Sequence, residues 1–210
     1  MIAYYIVIAI IAYLIGSISF SVIISKKMAG FDVREKGSGN AGSTNVLRSV
    51  GKKAAALTLV CDILKGVVAI LLATLLGNIV KELDGVLLVQ VAAIAVVIGH
   101  TFPIFFGFKG GKGVATSLGV LLLINWQIGL ICLVFALVIM ALTRMVSAGS
   151  VLAAILFPVL TLFIGQEHFI VSGNYFIFSV IMALIVAFNH RTNITRILNG
   201  TENKLSFKKK

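Results

Sequence analysis

Charged residues are scarce in this chain. Only 12% of its 210 residues are Asp, Glu, Lys or Arg, whereas 60% are hydrophobic. A soluble domain has about a quarter of its residues charged, which covers its surface. The deficit excludes a soluble globular domain, and the mean hydropathy of +1.11 indicates that lipid covers the apolar surface.

Cysteines are also few and badly placed for cross-linking or metal binding. Cys61 and Cys132 lie inside apolar runs, and neither has a Cys or His at metal-ligand spacing. A disulfide framework and a zinc site are therefore not expected. No basic segment precedes the first apolar run, which argues against a cleavable signal peptide.

Acidic residues are rarer than basic ones, 7 against 18, and the net charge is +11. In a soluble protein this excess would suggest a nucleic-acid partner. Here the basic residues lie between apolar runs, as is typical of cytoplasmic loops beside anionic lipid headgroups. We expect membrane lipid as a partner and no nucleic acid.

Long apolar runs, by contrast, are abundant. A membrane-spanning helix needs about 20 apolar residues. We divide the run 113–140 at Asn125, Trp126 and Gln127, because polar and interfacial residues interrupt it there. Its first piece is short, about 18 Å long at 1.5 Å per residue, and must tilt or thin the bilayer. The sequence thus predicts seven spans, at 3–25, 54–76, 86–106, 113–124, a following helix ending at 140, 151–164 and 175–188.

The distribution of basic residues predicts the orientation. Seven spans place the segments 26–53, 107–112, 143–150 and 189–210 on one side, together with every Lys and Arg except Lys65 and Lys81. By the positive-inside rule this side is cytoplasmic, so the N-terminus is outside and the C-terminus inside. With six spans the later loops would move to the opposite side of the membrane, and the difference in basic residues between the two sides would be smaller. We predict an all-α, polytopic helix bundle in the cell membrane, one domain over residues 1–210.

The first cytoplasmic segment contains a glycine-rich stretch from Lys36 to Arg48. Glycines allow close approach to a ligand, successive N–H groups can form an anion-binding nest, and Arg48 suits phosphate. The stretch 37–42 matches G-x-G-x-x-G, but this is weak evidence for a dinucleotide fold because no strand precedes it. The alternative is a flexible linker, which Asn and Arg disfavour. The candidate ligand-binding residues are Gly37, Ser38, Gly39, Asn40, Gly42, Thr44, Asn45 and Arg48.

A second glycine-rich segment, Gly110, Gly111, Lys112 and Gly113, leads directly into a predicted helix. It does not satisfy the G-x-x-x-x-G-K-[ST] pattern of a phosphate-binding loop. Even so, the N–H groups and dipole at a helix start favour a phosphate, and Lys112 would add a charge. Lys109 fits an anchor near lipid headgroups better.

Polar residues also mark the last two cytoplasmic segments. Ser147 and Ser150 either cap the sixth span or contact a ligand. His190 and Asn193 are three residues apart and share a helix face. Histidine suits proton transfer near neutral pH, although an interfacial histidine beside headgroups is the alternative.

Ionisable residues inside the spans are rare. Asp62 and Lys65 are three residues apart in the second span, where an ion pair is the first interpretation and a contribution to a site the second. His100 lies near the end of the third span, just before Pro103, which should break that helix. We interpret His100 as a structural helper.

Together these motifs resemble the bacterial membrane family of acyl-phosphate:glycerol-3-phosphate acyltransferases. The chain departs from the usual pattern at Ser43, where the family generally has Ala, and at Ala148, where Leu is common. The resemblance extends in order over nearly the whole chain, at 16–17, 37–45 with Arg48, Asp62 with 65–66, 99–103, 108–115, 146–147, 190–193 and 200–202.

The resemblance implies that the 1-hydroxyl of glycerol 3-phosphate attacks a fatty acyl phosphate, giving lysophosphatidic acid and inorganic phosphate. It implies seven spans, a cytoplasmic active site, no cofactor, no metal and no coenzyme A donor. The His-x-x-x-x-Asp pair of other glycerol-phosphate acyltransferases is absent, because Phe105, Gly173 and Thr195 stand five residues after the three histidines. His190 is a base or a binding group, since a substrate phosphate oxygen could take the proton instead. The expected catalytic residues are Ser38, Arg48, Lys112, His190 and Asn193, and the other candidates above would bind substrate.

Two other functional classes remain possible on sequence alone. An organic-phosphate transporter would also use helix N-termini and cations, but near the bilayer midplane and often on inverted repeats. The glycine-rich motifs here lie at the cytoplasmic margin, and no internal repeat is visible. A non-catalytic scaffold would leave the clustered polar residues without a purpose.

Overall fold

The computed structural model of this chain describes residues 1–164 and 175–205. The predicted far-side loop 165–174 and the three lysines at 208–210 lie outside the described residues. Within them the regular elements are all helices, as predicted, and the chain divides into two compact units, Met1–Ile124 and Asn125–Lys210. The prediction of a single domain stays a prediction.

The first unit contains six α-helices. They are α1 (Ile2–Gly16), α2 (Phe20–Ala29), α3 (Ser43–Ser49), α4 (Lys52–Ile79), α5 (Gly85–Thr101) and α6 (Val114–Ile124), with short 3-10 helices at Val33–Glu35 and Ile104–Phe106. The described part of the second unit contains four, namely α7 (Trp126–Thr143), α8 (Val146–Thr161), α9 (Tyr175–Asn189) and α10 (Arg191–Leu198).

The number of membrane spans is only partly decided by these helices. Among residues 1–164 and 175–205, four helical segments are long and apolar enough to cross a bilayer: Ile2–Ala29, Lys52–Ile79, Gly85–Phe106 and Trp126–Thr143. The pair α9 and α10, bent by 66°, makes a fifth if it counts as one span, and α6 and α8 are shorter apolar helices. Each predicted span overlaps apolar helical structure, while the count of seven and the orientation stay predictions.

The first predicted span, 3–25, is wrong as a continuous helix. The chain leaves the helix between Gly16 and Phe20. The ammonium group of Lys65 donates to the carbonyl oxygens of Gly16 and Ile18, both at 2.9 Å, and so satisfies carbonyls that lose their partners at the break. A cation at a helix C-terminus also interacts favourably with the helix dipole.

Two of the segments that were predicted to be cytoplasmic contain more helix than expected. The segment 26–53 was expected to be a loop, but α2 continues to Ala29 and α3 lies inside it. The helix of the sixth predicted span, α8, begins at Val146 rather than at residue 151, with Met145 at the cap position. Ser147 and Ser150 are therefore inside α8, and the interpretation of either as its N-cap was wrong.

Glycines let the helices of the first unit cross at very short distances. A β-carbon on Gly16 would lie 2.2 Å from Val96 O, and one on Gly99 would lie 2.2 Å from Tyr13 O. The crossing of α4 and α6 is equally close, since a β-carbon on Gly119 would lie 2.1 Å from Ile63 O. Small residues at helix contacts are the usual means of close packing in membranes. The end of α5 thereby packs closely against α1, and the middle of α6 packs closely against α4.

Candidate active site

The first glycine-rich stretch is organised by one buried amide. Asn45, on α3, is 2% exposed. Its Nδ2 donates to the carbonyls of Val33, Lys36 and Asn40 at 2.8, 3.0 and 3.0 Å, and its Oδ1 accepts from Ser38 N at 3.0 Å. These bonds use the whole amide, so Asn45 shapes the loop from within, whereas the sequence predicted a contact with substrate.

The loop turns around this amide and leaves other groups at its surface. Gly37 and Gly39 have positive φ angles of +59° and +71°, and a β-carbon on Gly37 would lie 2.2 Å from Asn45 Oδ1. Glycine is therefore required at 37 for steric as well as conformational reasons. The side chains of Ser38 and Arg48 are exposed, as a ligand contact demands. Gly42 precedes α3, while Asn40 and Thr44 are half-buried.

An arginine that the sequence analysis missed ties this loop to the second one. Arg34 Nε and Nη2 donate to the two carboxylate oxygens of Asp32 at 3.0 and 2.8 Å. Its Nη1 donates to the carbonyls of Phe106 and Lys109 at 2.6 and 3.1 Å. The hydrogen bond from Arg34 lowers the pKa of Asp32 although burial opposes this, and Asp32 raises the pKa of Arg34. The only signal in the sequence is the short Asp-x-Arg spacing.

The second glycine-rich segment lies against the end of α5. Pro103 has no N–H, so it cannot extend α5, and the last carbonyls of that helix need other donors. Gly111 N donates to His100 O and Gly110 N donates to Thr101 O, both at 3.1 Å. Gly110 O in turn accepts from Ala41 N of the first loop at 3.3 Å. The two glycine-rich loops are thus joined, and two N–H groups that were expected to bind substrate are occupied.

The segment then enters α6 as predicted. Gly113 has φ +83°, and the first hydrogen bond of α6 runs from Ser117 N to Gly113 O at 2.7 Å. The N–H groups of the first turn lie before that bond and, as at any helix start, have no acceptor within the helix. Lys112 is half-buried and directly precedes this turn. A cation beside a helix N-terminus is a suitable arrangement for a phosphate.

Behind the second loop lies a buried charge cluster. The predicted pair is confirmed, with Lys65 Nζ 3.0 Å from Asp62 Oδ1. His100 Nδ1 lies 3.5 Å from the same oxygen. The three side chains are 2–7% exposed.

In the second unit, one carboxylate accepts hydrogen bonds from two of the predicted polar residues. Ser147 Oγ and Asn193 Nδ2 donate to Glu202 Oε1 at 2.8 and 2.7 Å, and Arg196 Nε donates to Glu202 Oε2 at 3.1 Å. Burial raises the pKa of Glu202, but the hydrogen bonds from Asn193 and Ser147 and the charge of Arg196 outweigh it, so the pKa is lowered overall. Glu202 was part of the family resemblance but was not predicted as a site residue.

His190 stands where the chain bends between α9 and α10. It is 2% exposed, and its Nδ1 lies 2.8 Å from Val186 O. Since a carbonyl only accepts, Nδ1 carries the proton, and a neutral imidazole has its lone pair on Nε2. This is the tautomer that a general base acting through Nε2 requires. Ser150, in contrast, donates to Val146 O at 2.9 Å within its own helix.

The structure thus brings the predicted residues together in two clusters, one in each unit. Ser38, the glycines and Lys112 belong to the joined loops of the first unit, with Arg48 in the last turn of α3. In the second unit Ser147 and Asn193 bind Glu202, and His190 precedes Asn193 by three residues at the start of α10. Across residues 1–164 and 175–205, no three His, Cys, Asp or Glu side chains are grouped as metal ligands.

A family model described as glycerol-3-phosphate acyltransferase matches residues 6–200 of this sequence. The chain belongs to the glycerol-3-phosphate acyltransferase family. Two curated members of the family share much of its sequence. Glycerol-3-phosphate acyltransferase of Clostridioides difficile (strain 630) is 46% identical, over 98% of this chain and 97% of that protein. The protein of the same name from Thermoanaerobacter sp. (strain X514) is 45% identical, over 98% of each.

Solved structures of the family have the same fold. The chain superposes with a TM-score of 0.84 and 36% identity on PlsY (YgiH), an integral membrane glycerol 3-phosphate acyltransferase, in its glycerol 3-phosphate form. The match covers 96% of both chains. The lysophosphatidic acid form of PlsY gives a TM-score of 0.82 and 35% identity. The chain is therefore an integral membrane protein with the PlsY fold.

Proposed function

We propose that this protein transfers a fatty acyl group from an acyl phosphate to the 1-hydroxyl of glycerol 3-phosphate. The products are lysophosphatidic acid and inorganic phosphate, which makes this the first acylation in phospholipid synthesis. The observation that carries the acceptor is the match to the glycerol 3-phosphate form of PlsY over 96% of the chain. The acyl phosphate donor follows from the motif resemblance and from the absence of a His-x-x-x-x-Asp pair.

Both proposed substrates carry phosphate, so the chain must supply cations and hydrogen-bond donors. In the first unit, Ser38 and Arg48 are exposed beside the Asn45-centred loop, and Lys112 precedes the N-terminus of α6. An arginine fork and a lysine charge differ in geometry but both stabilise phosphate oxygens. We assign phosphate binding to these three residues.

The second unit supplies the group for proton transfer. In the reaction, the 1-hydroxyl oxygen bonds to the acyl carbonyl carbon, and the bond from that carbon to the phosphate oxygen breaks. Phosphate leaves with the electron pair, and the hydroxyl proton goes to His190 Nε2. A phosphate oxygen of a substrate is the alternative acceptor. Acyl phosphates are already activated, so positioning and charge stabilisation supply much of the rate.

The proposal includes the topology predicted from the basic residues. In this topology the protein is a single domain with seven spans in the cell membrane. Its N-terminus is outside the cell and its C-terminus is inside. The glycine-rich loops would then face the cytoplasm, where a water-soluble glycerol phosphate is available. Neither a metal nor a cofactor has a step in this scheme.

The test is a turnover assay on protein purified in detergent. Glycerol 3-phosphate is supplied with palmitoyl phosphate or with palmitoyl-coenzyme A, and the release of phosphate and lysophosphatidic acid is followed. We expect turnover with the acyl phosphate alone. Turnover with the thioester instead would contradict the donor, and a folded preparation active with neither would contradict the enzyme proposal.

A further inference from the structure

Three buried ionisable side chains of the first unit have no role in the scheme above. Asp62, Lys65 and His100 are 2%, 4% and 7% exposed and lie within apolar helices. Ionisable residues inside membrane spans are costly and usually have a function. Asp62 and Lys65 have opposite charges and pair with each other, so the presence of His100 beside them requires its own explanation.

His100 contacts the second glycine-rich loop through its main chain and its side chain. Its carbonyl accepts from Gly111 N at 3.1 Å. A β-carbon on Gly111 would lie 2.2 Å from His100 Nε2, so the imidazole packs directly against the backbone of Gly111. The position of the ring therefore determines the position of Gly111, which is bonded to Lys112.

The other nitrogen of the ring faces the buried ion pair. His100 Nδ1 lies 3.5 Å from Asp62 Oδ1, and that carboxylate is 3.0 Å from Lys65 Nζ. Lys65 also donates to the main chain of Gly16 and Ile18 at the break between α1 and α2. An apolar ring of similar size would fill the space without an attraction to Asp62. The ring of His100 therefore lies between the carboxylate of Asp62 on α4 and the backbone of Gly111.

We propose that His100 is a positioning residue for glycerol 3-phosphate: held by the Asp62–Lys65 pair, it fixes Gly111 and thereby Lys112. This inference rests on the proposed function, in which Lys112 binds a substrate phosphate. It predicts an effect on the binding of the acceptor that exceeds any effect on the acyl donor.

The first test compares His100→Ala with Gln90→Ala. Gln90 is a matched control, because it is a buried polar residue of the same helix, 8% exposed, with no hydrogen bond to the loop. A small displacement of a binding group costs about 10- to 100-fold in kcat/KM. We expect that loss in His100→Ala, mainly as a higher KM for glycerol 3-phosphate, with partial recovery in His100→Gln. Equal KM values for glycerol 3-phosphate in His100→Ala and Gln90→Ala would overturn the proposal.

A second test reverses the direction of the contact. Gly111→Ala would push its methyl group into the ring and should also raise the KM for glycerol 3-phosphate. Combining it with His100→Ala removes the colliding ring, so the double variant should be less impaired than the sum of the single effects. Simple additivity would contradict a direct contact between the two positions.

A third measurement does not depend on substrate. A nitroxide is attached at Lys109→Cys in a chain whose two native cysteines are replaced by alanine. We expect His100→Ala, and not Gln90→Ala, to raise the mobility of the label. Unchanged mobility would contradict the positioning role even if the wild-type protein acylates glycerol 3-phosphate. A responsive label in a protein that neither binds nor acylates glycerol 3-phosphate would support the positioning of the loop and refute the proposed function.

Discussion

The two units hold their polar residues in different ways. In the first unit main-chain hydrogen bonds hold the site together. The glycine-rich loops bond to each other, to the end of α5 and to the amide of Asn45. In the second unit a single carboxylate, Glu202, accepts hydrogen bonds from Ser147, Asn193 and Arg196. One cluster is specified by main-chain geometry and the other by side-chain charge.

This difference has consequences for how each cluster fails. A cluster built from backbone is sensitive to added volume, since several of its glycines have no room for a β-carbon. A cluster built around a carboxylate is sensitive to protonation and to loss of charge. We therefore expect glycine substitutions to affect mainly the cluster of the first unit and changes of pH to affect mainly the cluster of the second.

The largest expected effect is in the second unit, on catalysis. A general base contributes about 10²- to 10⁴-fold, so His190→Ala should reduce kcat by that factor. The measurement is kcat against pH with glycerol 3-phosphate and palmitoyl phosphate. Thr195→Ala, on the exposed side of α10, is the control. A full kcat in His190→Ala would assign the proton to a substrate phosphate.

The next effect sharpens the role of the first unit. Removing one preorganised charge or donor costs about 10²- to 10³-fold, and we expect this loss in kcat/KM for Lys112→Met, mainly through the KM for glycerol 3-phosphate. Lys109→Met serves as the control, because Lys109 is an exposed lysine three residues earlier. Similar kinetics for the two variants would show that only the net charge of the loop matters.

A smaller effect concerns the stability of the first unit. Gly119→Ala would place a methyl group against Ile63 O at the crossing of α4 and α6. Overpacking of this kind costs about 1–3 kcal/mol, so the melting temperature in detergent should fall. Gly85→Ala adds the same methyl group where nothing lies within 4 Å and should leave the melting temperature unchanged. Equal melting temperatures would contradict the close crossing.

The smallest effect is a pH dependence in the second unit. The lowered pKa of Glu202 means that its contribution to stability is present above its ordinary pKa of 4.5 and is lost as the pH falls through the folded value. Glu202→Gln should therefore melt lower than wild type at neutral pH, by about 2–4 °C for each kcal/mol lost. The difference in melting temperature between the variant and the wild type should disappear on acidification, as thermal unfolding at several pH values would show. A gap independent of pH would mean that packing, rather than charge, stabilises this cluster.

The sequence predicted the features that depend on composition and short spacing. The apolar runs, the helix break before Pro103, the start of α6 after Gly113 and the pair of Asp62 with Lys65 follow from local chemistry. The break at Gly16 did not, because the group that stabilises it, Lys65, is distant in the sequence. The role of Asn45 was also hidden, since an asparagine that faces inward cannot be told from one that faces a ligand.

The site itself was predicted as a set of residues but not as an arrangement. Polar residue types at the predicted cytoplasmic ends of spans identified His190, Asn193 and Ser147 as candidates. Glu202, which binds Ser147 and Asn193, was missed because it lies nine residues beyond Asn193 in an irregular segment. Likewise, nothing in the sequence showed that Gly110 and Gly111 use their N–H groups to complete α5.

The break in the first apolar segment has a consequence for biogenesis. The carbonyls of Gly16 and Ile18 are satisfied by a side chain that is made 49 and 47 residues later. Until residue 65 has been synthesised and has entered the bilayer, those carbonyls lack this donor, and lipid supplies none. A nascent chain that ends before α4 should therefore insert its first segment as one uninterrupted helix. The interruption is then created in the membrane, after insertion, when the second long helix arrives.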